Sequence, residues 1–145
     1  MSASGSRRGG PWLPRQLWAT KGGSVRSETD WPLSNARRGD LWLLDLGDPL
    51  GHQQGWQRPA LVLSSDRWNE HAETLTVIPL TRTRHGLPTR VELEPDQINQ
   101  LDEVSYARCE DIRSVSAVRL VHRIGAVDLE DMAIVARTLR TFLEL

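Results

Sequence analysis

The sequence contains a single cysteine, Cys109, and no apolar run that approaches the roughly eighteen residues of a membrane helix. A lone cysteine excludes an intrachain disulfide framework and suits a reducing compartment. We therefore expect a cytoplasmic protein without membrane association, in which Cys109 is a small buried residue.

Metal-ligand and cofactor motifs are also lacking. The sequence has no phosphate loop and no dinucleotide-binding motif, and its histidines form neither an HxH nor an HExxH pair. We therefore expect neither a metal nor a cofactor. The dispersed histidines are His52, His71, His85 and His122.

There is no excess of charge of one sign, because the formal net charge is -1 and the sequence pI is about 6.4. The first 36 residues hold five basic and two acidic residues, which leaves thirteen basic and seventeen acidic residues, a formal charge of -4, for residues 37–145. Steering of a polyanion by net charge is therefore excluded, and such a ligand must be held by a local patch.

Two windows of the sequence contain no Asp or Glu. The first, Pro49–Ser65, has Arg58 as its only full charge. Guanidinium groups without neighbouring carboxylates favour a phosphate ligand, so the windows predict a local phosphate-binding site. The basic residues of the second window, Thr74–Val91, are Arg82, Arg84, His85 and Arg90.

The chain changes character near Asn35. Residues 1–36 are rich in Gly, Ser, Pro and Arg, and their tryptophans show no helical or strand period. This composition predicts a poorly ordered basic extension, or a leader produced by a misassigned start codon. A contact with single-stranded RNA through charge and indole stacking is the alternative. Residues 37–145 are long enough for one domain with a single core.

Short apolar runs separated by turn residues predict a mainly β domain. Pro79 cannot donate to a strand ladder, so we expect it at an edge or a strand end. Five or six short strands followed by one helix predict a small antiparallel barrel with a packed helix. The predicted strands are Asp40–Leu46, Pro59–Ser64, Thr74–Leu80, Thr89–Leu93, Ser105–Ile112 and a short strand within Arg119–Val127.

The last segment predicts an amphipathic helix that begins after Asp128. Asp128 can cap it, acidic residues follow in the first turn, and apolar residues recur at helical spacing. Its arginines are expected to complement the negative end of the helix rather than to bind a ligand. The apolar stripe is formed by Met132, Val135, Leu139 and Phe142.

From Arg37 to Leu145 the sequence resembles the MazF/PemK-like toxins of bacterial toxin-antitoxin modules. Each matching motif is short, but the ordered set is specific to that family. The motifs are Arg38–Trp42, Gly51–Pro59 continuing to Val62, Val77–Thr81, Val91–Leu93, Cys109–Val115 and Arg123–Gly125.

The resemblance implies an SH3-like barrel of the CcdB/MazF/PemK kind, a homodimer, and metal-independent cleavage of single-stranded RNA near the subunit interface. A cognate antitoxin protein would block the RNA groove. The substrate would be mRNA, with tRNA or ribosomal RNA loops as alternatives. The family's catalytic arginine and threonine correspond to Arg58 and Thr81.

RNA chemistry agrees with these two residues. The 2'-hydroxyl can attack the adjacent phosphorus to give a 2',3'-cyclic phosphate and a 5'-hydroxyl, so the protein needs only to stabilise charge and move protons. Arg58 and Thr81 can both donate to the phosphorane oxygens. A guanidinium with a pKa above about 12 is a poor base at neutral pH, so we expect Arg58 to act electrostatically, with proton donation to the leaving oxygen as an additional role.

The general base is open. Family members often carry a glutamate five residues before the arginine, where this chain has Gln53, which cannot accept a proton at neutral pH. The adjacent His52, with an ordinary pKa near 6.5, is the hypothesis for the base, and His85 is the second candidate. A solvated or RNA-contacting histidine is the alternative.

Several further residues are candidates for binding RNA. Trp56 would stack a base, or else cover the end of the barrel or meet the antitoxin. Arg113 would contact RNA or serve as a structural ion-pair partner, whereas Trp42 is expected in the core. The predicted RNA contacts are Gln53, Gln54, Trp56, Arg82, Arg84, His85, Arg90, Asp111 and Arg113.

Two other functions use the same fold. The related CcdB toxins poison DNA gyrase by binding it, and a degenerate relative would bind RNA or antitoxin without cleavage. Arg58 and Thr81 argue against the first alternative, and Gln53 is the one hint of the second.

Overall fold

The computed structural model describes residues 35–47 and 57–145. Within these ranges the chain forms seven β-strands, a short helix and a long C-terminal helix. The predicted extension at residues 1–36 lies almost wholly outside the described residues. The elements are β1 (Asp40–Asp45), β2 (Gln57–Val62), α1 (Asp66–Asn69), β3 (Thr74–Thr81), β4 (Arg90–Leu93), β5 (Ser105–Arg108), β6 (Arg113–Ser116), β7 (Leu120–Ala126) and α2 (Leu129–Leu143).

The strands form an antiparallel sheet with the order β4-β5-β3-β2-β1-β7, and β6 pairs with β3 outside this path. Strand β3 is at the centre, because it pairs with β2 along one edge and with both β6 and β5 along the other. The predicted fold class, a mainly β antiparallel domain with a packed C-terminal helix, is confirmed.

Strand alternation separates two apolar clusters, one on each face of the sheet. The helix-side face contains Leu61, Ile78 and Leu80, which pack with Met132 and Val135 of α2. The opposite face, which we call the open face, contains a second and smaller cluster. Its buried members include Trp42, Leu44, Ala60, Val62, Leu75, Val77 and Val115.

Helix α2 begins as its sequence predicts. The side chain of Asp128 accepts a hydrogen bond from the backbone N–H of Asp131 and caps the helix, and Glu144 ends it in a left-handed conformation. Met132 and Val135 are its buried residues. No described helix is both long and apolar enough to cross a membrane.

The predicted single strand Ser105–Ile112 is wrong. The chain leaves β5 after Arg108, makes a 3₁₀ turn at Cys109–Asp111, and then enters β6. Cys109 is fully buried on the helix side, which confirms the expectation that it is a small buried residue. Its apolar character made the whole segment resemble a single strand. The turn lets β5 and β6 pair with different halves of β3, which gives seven strands instead of six.

The position expected for Pro79 is also wrong, since this residue lies within β3 and pairs with Ala60 of β2. On its other edge β3 pairs with β6 as far as Val77 and with β5 from Leu80 onward. Pro79 thus occupies the point where one neighbouring strand replaces the other. A residue without an N–H donor is tolerated there because the ladder is interrupted.

Tryptophan 42 lies in the core, as predicted. Its side chain belongs to the open-face cluster, and its indole N–H donates to the buried carboxylate of Asp40. Arg123 of β7 donates to the other oxygen of Asp40 at 3.2 Å. These contacts join the start of β1 to β7.

Candidate functional site

Arg58 and Thr81 lie on neighbouring strands and face the same side. In the β2–β3 ladder Ala60 pairs with Pro79 and Leu61 with Ile78. Continuing this register by two residues along both strands places Arg58 opposite Thr81. Both residues alternate with the helix-side core, so their side chains belong to the open face, where Arg58 is exposed and Thr81 half-buried. Neighbouring strands are about 4.8 Å apart, so one phosphate can meet both side chains.

The hydroxyl of Thr81 has a fixed environment. Its oxygen accepts a hydrogen bond of 3.2 Å from the backbone N–H of Thr83. A hydroxyl can accept and donate at the same time, so its proton can still be donated to a ligand. The turn after β3 thus orients a donor toward the open face.

The basic residues of the segment between β3 and β4 lie at the surface. Arg82 forms an ion pair of 3.1 Å with Glu103, with both side chains 61% exposed. Arg84 and His85 are exposed as well. Three cationic or titratable side chains, those of Arg82, Arg84 and His85, thus follow closely after Thr81. Of these three, Arg82 alone forms an ion pair within the part of the chain that the structure describes.

Arg90 has a different environment. Its side chain is only 9% exposed, and its Nε donates to Glu110 at 2.7 Å. Thr89 donates to the other oxygen of Glu110 at 2.8 Å. Partial burial alone would raise the pKa of Glu110, but the hydrogen bonds from Arg90, the backbone and Thr89, with the charge of Arg90, lower it overall. Arg90 is therefore a structural partner of Glu110.

Arg108 lies directly across from Arg90 in the β4–β5 ladder. Like charges in this position repel, and Glu110 lies between them, 3.8 Å from the Nε of Arg108. Asp111 is likewise 3.8 Å from Arg108. These are loose ion pairs, and the Nε of Arg108 and one terminal nitrogen of Arg90 are buried without a hydrogen-bond partner.

Arg113 is the first residue of β6 and pairs with Val77 of β3. It alternates with the buried Val115 on the open face, and it is exposed. Within the described residues it forms no ion pair, so the alternative of a structural ion-pair partner receives no support. Arg113 therefore shares a face with Arg58 and Thr81.

The remaining predicted site residues, His52, Gln53, Gln54 and Trp56, lie outside the described residues. No group of three or more His, Cys, Asp or Glu residues suited to a metal ion occurs in the part of the chain that the structure describes.

Comparison with known proteins identifies the family. A family model of the PemK-like, MazF-like toxins of type II toxin-antitoxin systems matches residues 37–143. The chain belongs to this toxin family. This toxin is 35% identical over 116 residues to Endoribonuclease MazF9 of Mycobacterium tuberculosis, a match that covers 75% of this chain and 97% of the relative.

Solved structures of related toxins share the fold of this MazF-like toxin. A crystal structure of MazE-MazF (Form-II) from Deinococcus radiodurans has a TM-score of 0.66 and 26% sequence identity, covering 77% of this chain and 98% of that chain. An endoribonuclease in complex with its cognate antitoxin, from a mycobacterial species, has a TM-score of 0.64 and 26% identity, covering 76% and 96%. The predicted family is confirmed.

Sequence reasoning missed three residues of the MazF-like toxin that lie beside the predicted site. Tyr106 pairs with Thr81 across the β3–β5 ladder, and Arg108 and Glu110 form the cluster with Arg90. The sequence signal for Tyr106 and Arg108 was the alternation within Ser105–Arg108. Ser105 and Ala107 are small and buried, whereas Tyr106 and Arg108 are large, polar and half-buried.

Proposed function

We propose that this MazF-like toxin is an endoribonuclease that cleaves single-stranded RNA through Arg58 and Thr81. The single observation that carries the proposal is the β2–β3 register, which is seen as far as Ala60–Pro79 and whose continuation by two residues would bring Arg58 and Thr81 opposite each other on the open face. The relative named Endoribonuclease MazF9 supports RNA cleavage as the activity.

The proposed mechanism uses the RNA's own nucleophile. The 2'-hydroxyl attacks the adjacent phosphorus, the bond to the 5'-oxygen breaks, and the products are a 2',3'-cyclic phosphate and a 5'-hydroxyl. The guanidinium of Arg58 and the hydroxyl of Thr81 donate to the phosphorane oxygens, where negative charge accumulates in the transition state. Removal of one such donor typically costs about 10²- to 10³-fold in rate.

The reaction also needs a general base. A proton must leave the 2'-hydroxyl, and Gln53 cannot take it. We propose His52 as the base, with His85 as the second candidate because it is exposed on the segment after Thr81. His52→Ala should then abolish cleavage while preserving RNA affinity, and unchanged turnover would remove this assignment.

For the RNA backbone we propose contacts with Arg82, Arg84, His85 and Arg113, which are exposed around Thr81 or on its face. Arg90 and Asp111 lie within the Glu110 cluster, and we assign them to support of this surface. The predicted loop contacts Gln53, Gln54 and Trp56 remain proposals.

We further propose that the partners are mRNA, or tRNA and ribosomal RNA loops, together with a cognate antitoxin protein. A structural relative described as an endoribonuclease in complex with its cognate antitoxin supports the second partner. A homodimer, a cytoplasmic location and a toxin domain at 37–145 preceded by a basic extension belong to the same proposal.

The test is incubation of the purified toxin with a long single-stranded RNA in EDTA, followed by mapping of new 5' ends. We expect discrete cuts with 5'-hydroxyls in the wild type and their loss in Arg58→Ala and Thr81→Ala. Thr81→Ser keeps the hydroxyl and should retain most activity. Arg67→Ala, which removes an exposed arginine of α1, is the matched control.

Intact RNA with the wild type would contradict the proposal. Inhibition of gyrase in a parallel supercoiling assay would then favour the CcdB-like alternative, and RNA binding without cleavage would favour a degenerate relative.

A further inference from the structure

We propose that Tyr106 forms a binding subsite for one nucleobase of the RNA, next to the reacting phosphate. This inference rests on the proposed function, because it takes Arg58 and Thr81 as the reacting centre. Tyr106 is the only tyrosine of the chain and belongs to none of the motifs that define the family resemblance.

The sheet register places Tyr106 beside the site. Thr81 of β3 pairs directly with Tyr106 of β5. Directly opposed residues in an antiparallel ladder have Cβ atoms about 4.5–5.5 Å apart and point to the same face. Tyr106 is therefore the neighbour of Thr81 on the side away from Arg58.

The burial pattern of β5 fixes the direction of the side chain. Ser105 and Ala107 are buried toward the helix side, whereas Tyr106 and Arg108 are half-buried on the open face. A half-buried aromatic ring on a rigid strand offers area to a ligand at little cost in conformational entropy. An unpaired base beside the scissile bond is the ligand that such a ring binds by stacking.

Charge around Tyr106 favours a nucleic acid over a protein segment. Arg108 follows two residues along the same face, is 38% exposed and is held only by contacts of 3.8 Å. Its guanidinium is available to the phosphate that follows the stacked base. A base on Tyr106 would continue the row across the strands that begins at Arg58 and Thr81, and a phosphate on Arg108 would lie two residues along β5 from that row.

Strand β4 limits the path of the RNA. Glu92 pairs with Tyr106 on its other side and is exposed. The pKa of Glu94, two residues further along the chain, is raised chiefly by a hydrogen bond with Glu92. These carboxylates repel phosphates, so the backbone should turn along β5 toward Arg108 instead of crossing β4.

The test uses short RNAs with the mapped cleavage motif, each with one abasic nucleotide at a position flanking the scissile bond. For the wild type, removal of one particular base should lower kcat/KM by about 5- to 100-fold, the range expected for loss of one stacking contact. Tyr106→Leu keeps an apolar side chain without the ring. On intact RNA it should be as slow as the wild type is on the abasic RNA, and its rate should not change when that base is removed. Tyr106→Phe should behave like the wild type.

Phe142→Ala is the matched control, because it removes an exposed aromatic side chain from α2 on the other side of the sheet. A purely structural role of Tyr106 would lower activity on every RNA and leave the pattern of abasic sensitivity unchanged, which would overturn the inference. Unchanged kinetics of Tyr106→Leu would overturn it as well. Absence of cleavage by the wild type would instead refute the proposed function, and this inference with it.

Discussion

The two faces of the sheet differ in how they use the same strands. On the helix side, Ile78 and Leu80 of β3 are apolar and buried beneath α2, whereas Thr74 and Thr76 at the start of the strand are half-buried. On the open face the buried cluster is smaller, and polar side chains occupy the strand ends at Arg58, Thr81 and Tyr106. The residues that stabilise the fold and those proposed for the chemistry therefore alternate along the same strands, because successive strand residues point to opposite faces.

Two neighbouring residues of β3 test this separation of the faces. Leu80→Ala removes a fully buried side chain of the helix-side core and should lower the free energy of unfolding by about 2–5 kcal/mol. Thr81→Ala should lower cleavage by about 10²- to 10³-fold and leave the unfolding midpoint nearly unchanged. Urea unfolding and single-turnover RNA cleavage measure the two effects.

Equal losses of stability in the two variants, or equal losses of activity in the folded state, would contradict the separation of the faces. Activity of Leu80→Ala must be measured at a temperature where the variant is folded.

A second prediction compares two arginine–glutamate pairs. Glu110→Gln leaves the mostly buried Arg90 without its counter-charge and should cost about 1–3 kcal/mol of stability. Glu103→Gln breaks the exposed pair with Arg82 and should cost less than about 1 kcal/mol. Thermal unfolding of both variants gives the difference, and a larger loss in Glu103→Gln would show that the Glu110 cluster does not brace the open face.

A third prediction concerns the helix that covers one face. Asp128→Ala removes the N-cap of α2 and should cost about 1 kcal/mol. Asp128→Asn keeps a capping oxygen and should lower the free energy of unfolding by only a few tenths of a kcal/mol. Chemical denaturation compares the two, and cleavage by both variants should match the wild type because α2 lies away from Thr81.

The smallest expected effect is a dependence of stability on pH. The folded-state pKa of Glu110 is lowered, so its contribution is complete above the ordinary carboxylate pKa of about 4.3 and is lost as the pH falls through the folded-state value. Between about pH 5 and pH 3 the wild type should therefore lose more stability than Glu110→Gln.

Asp131 acts with the opposite sign. Burial, followed by the charges of Asp128, Glu130 and Asp96, raises the pKa of Asp131, so its protonation favours the folded state as the pH falls. Asp131→Asn removes this gain, so the stability of the variant should fall more steeply than that of the wild type as the pH decreases. Parallel profiles for Glu110→Gln and the wild type would refute the assignment to Glu110.

The sequence was sufficient for elements with a strong local pattern. The cap and apolar spacing predicted α2 from Asp128, and the apolar runs located β1 and β3 within one residue. It failed where tertiary pairing decides, because only the division of one edge of β3 between β5 and β6 explains the turn at Cys109–Asp111. The same exchange explains the interior position of Pro79.

For the site, the family resemblance implied Arg58 and Thr81, and only the register of the folded strands suggests that the two side chains face each other. The acid-free window Thr74–Val91 predicted a phosphate site, and in the structure its Arg82 and Arg84 are exposed. It did not distinguish Arg90, because Glu110 lies twenty residues away in sequence and meets it only in the folded sheet. Tyr106 was missed because a single aromatic residue in a short strand has no pattern of its own.

The shared edge of β3 also sets which lengths of chain can change. Strands β5 and β6 are joined by only the 3₁₀ turn and Ile112, and each is held in register against β3. An inserted residue there would push one strand out of register and exchange its buried and exposed side chains. Residues 82–88 lie outside the strands, so residues inserted there would change the reach of Arg82 and Arg84 and leave the sheet intact. We expect relatives with altered RNA preference to differ in length at that segment and to keep the turn at its present length.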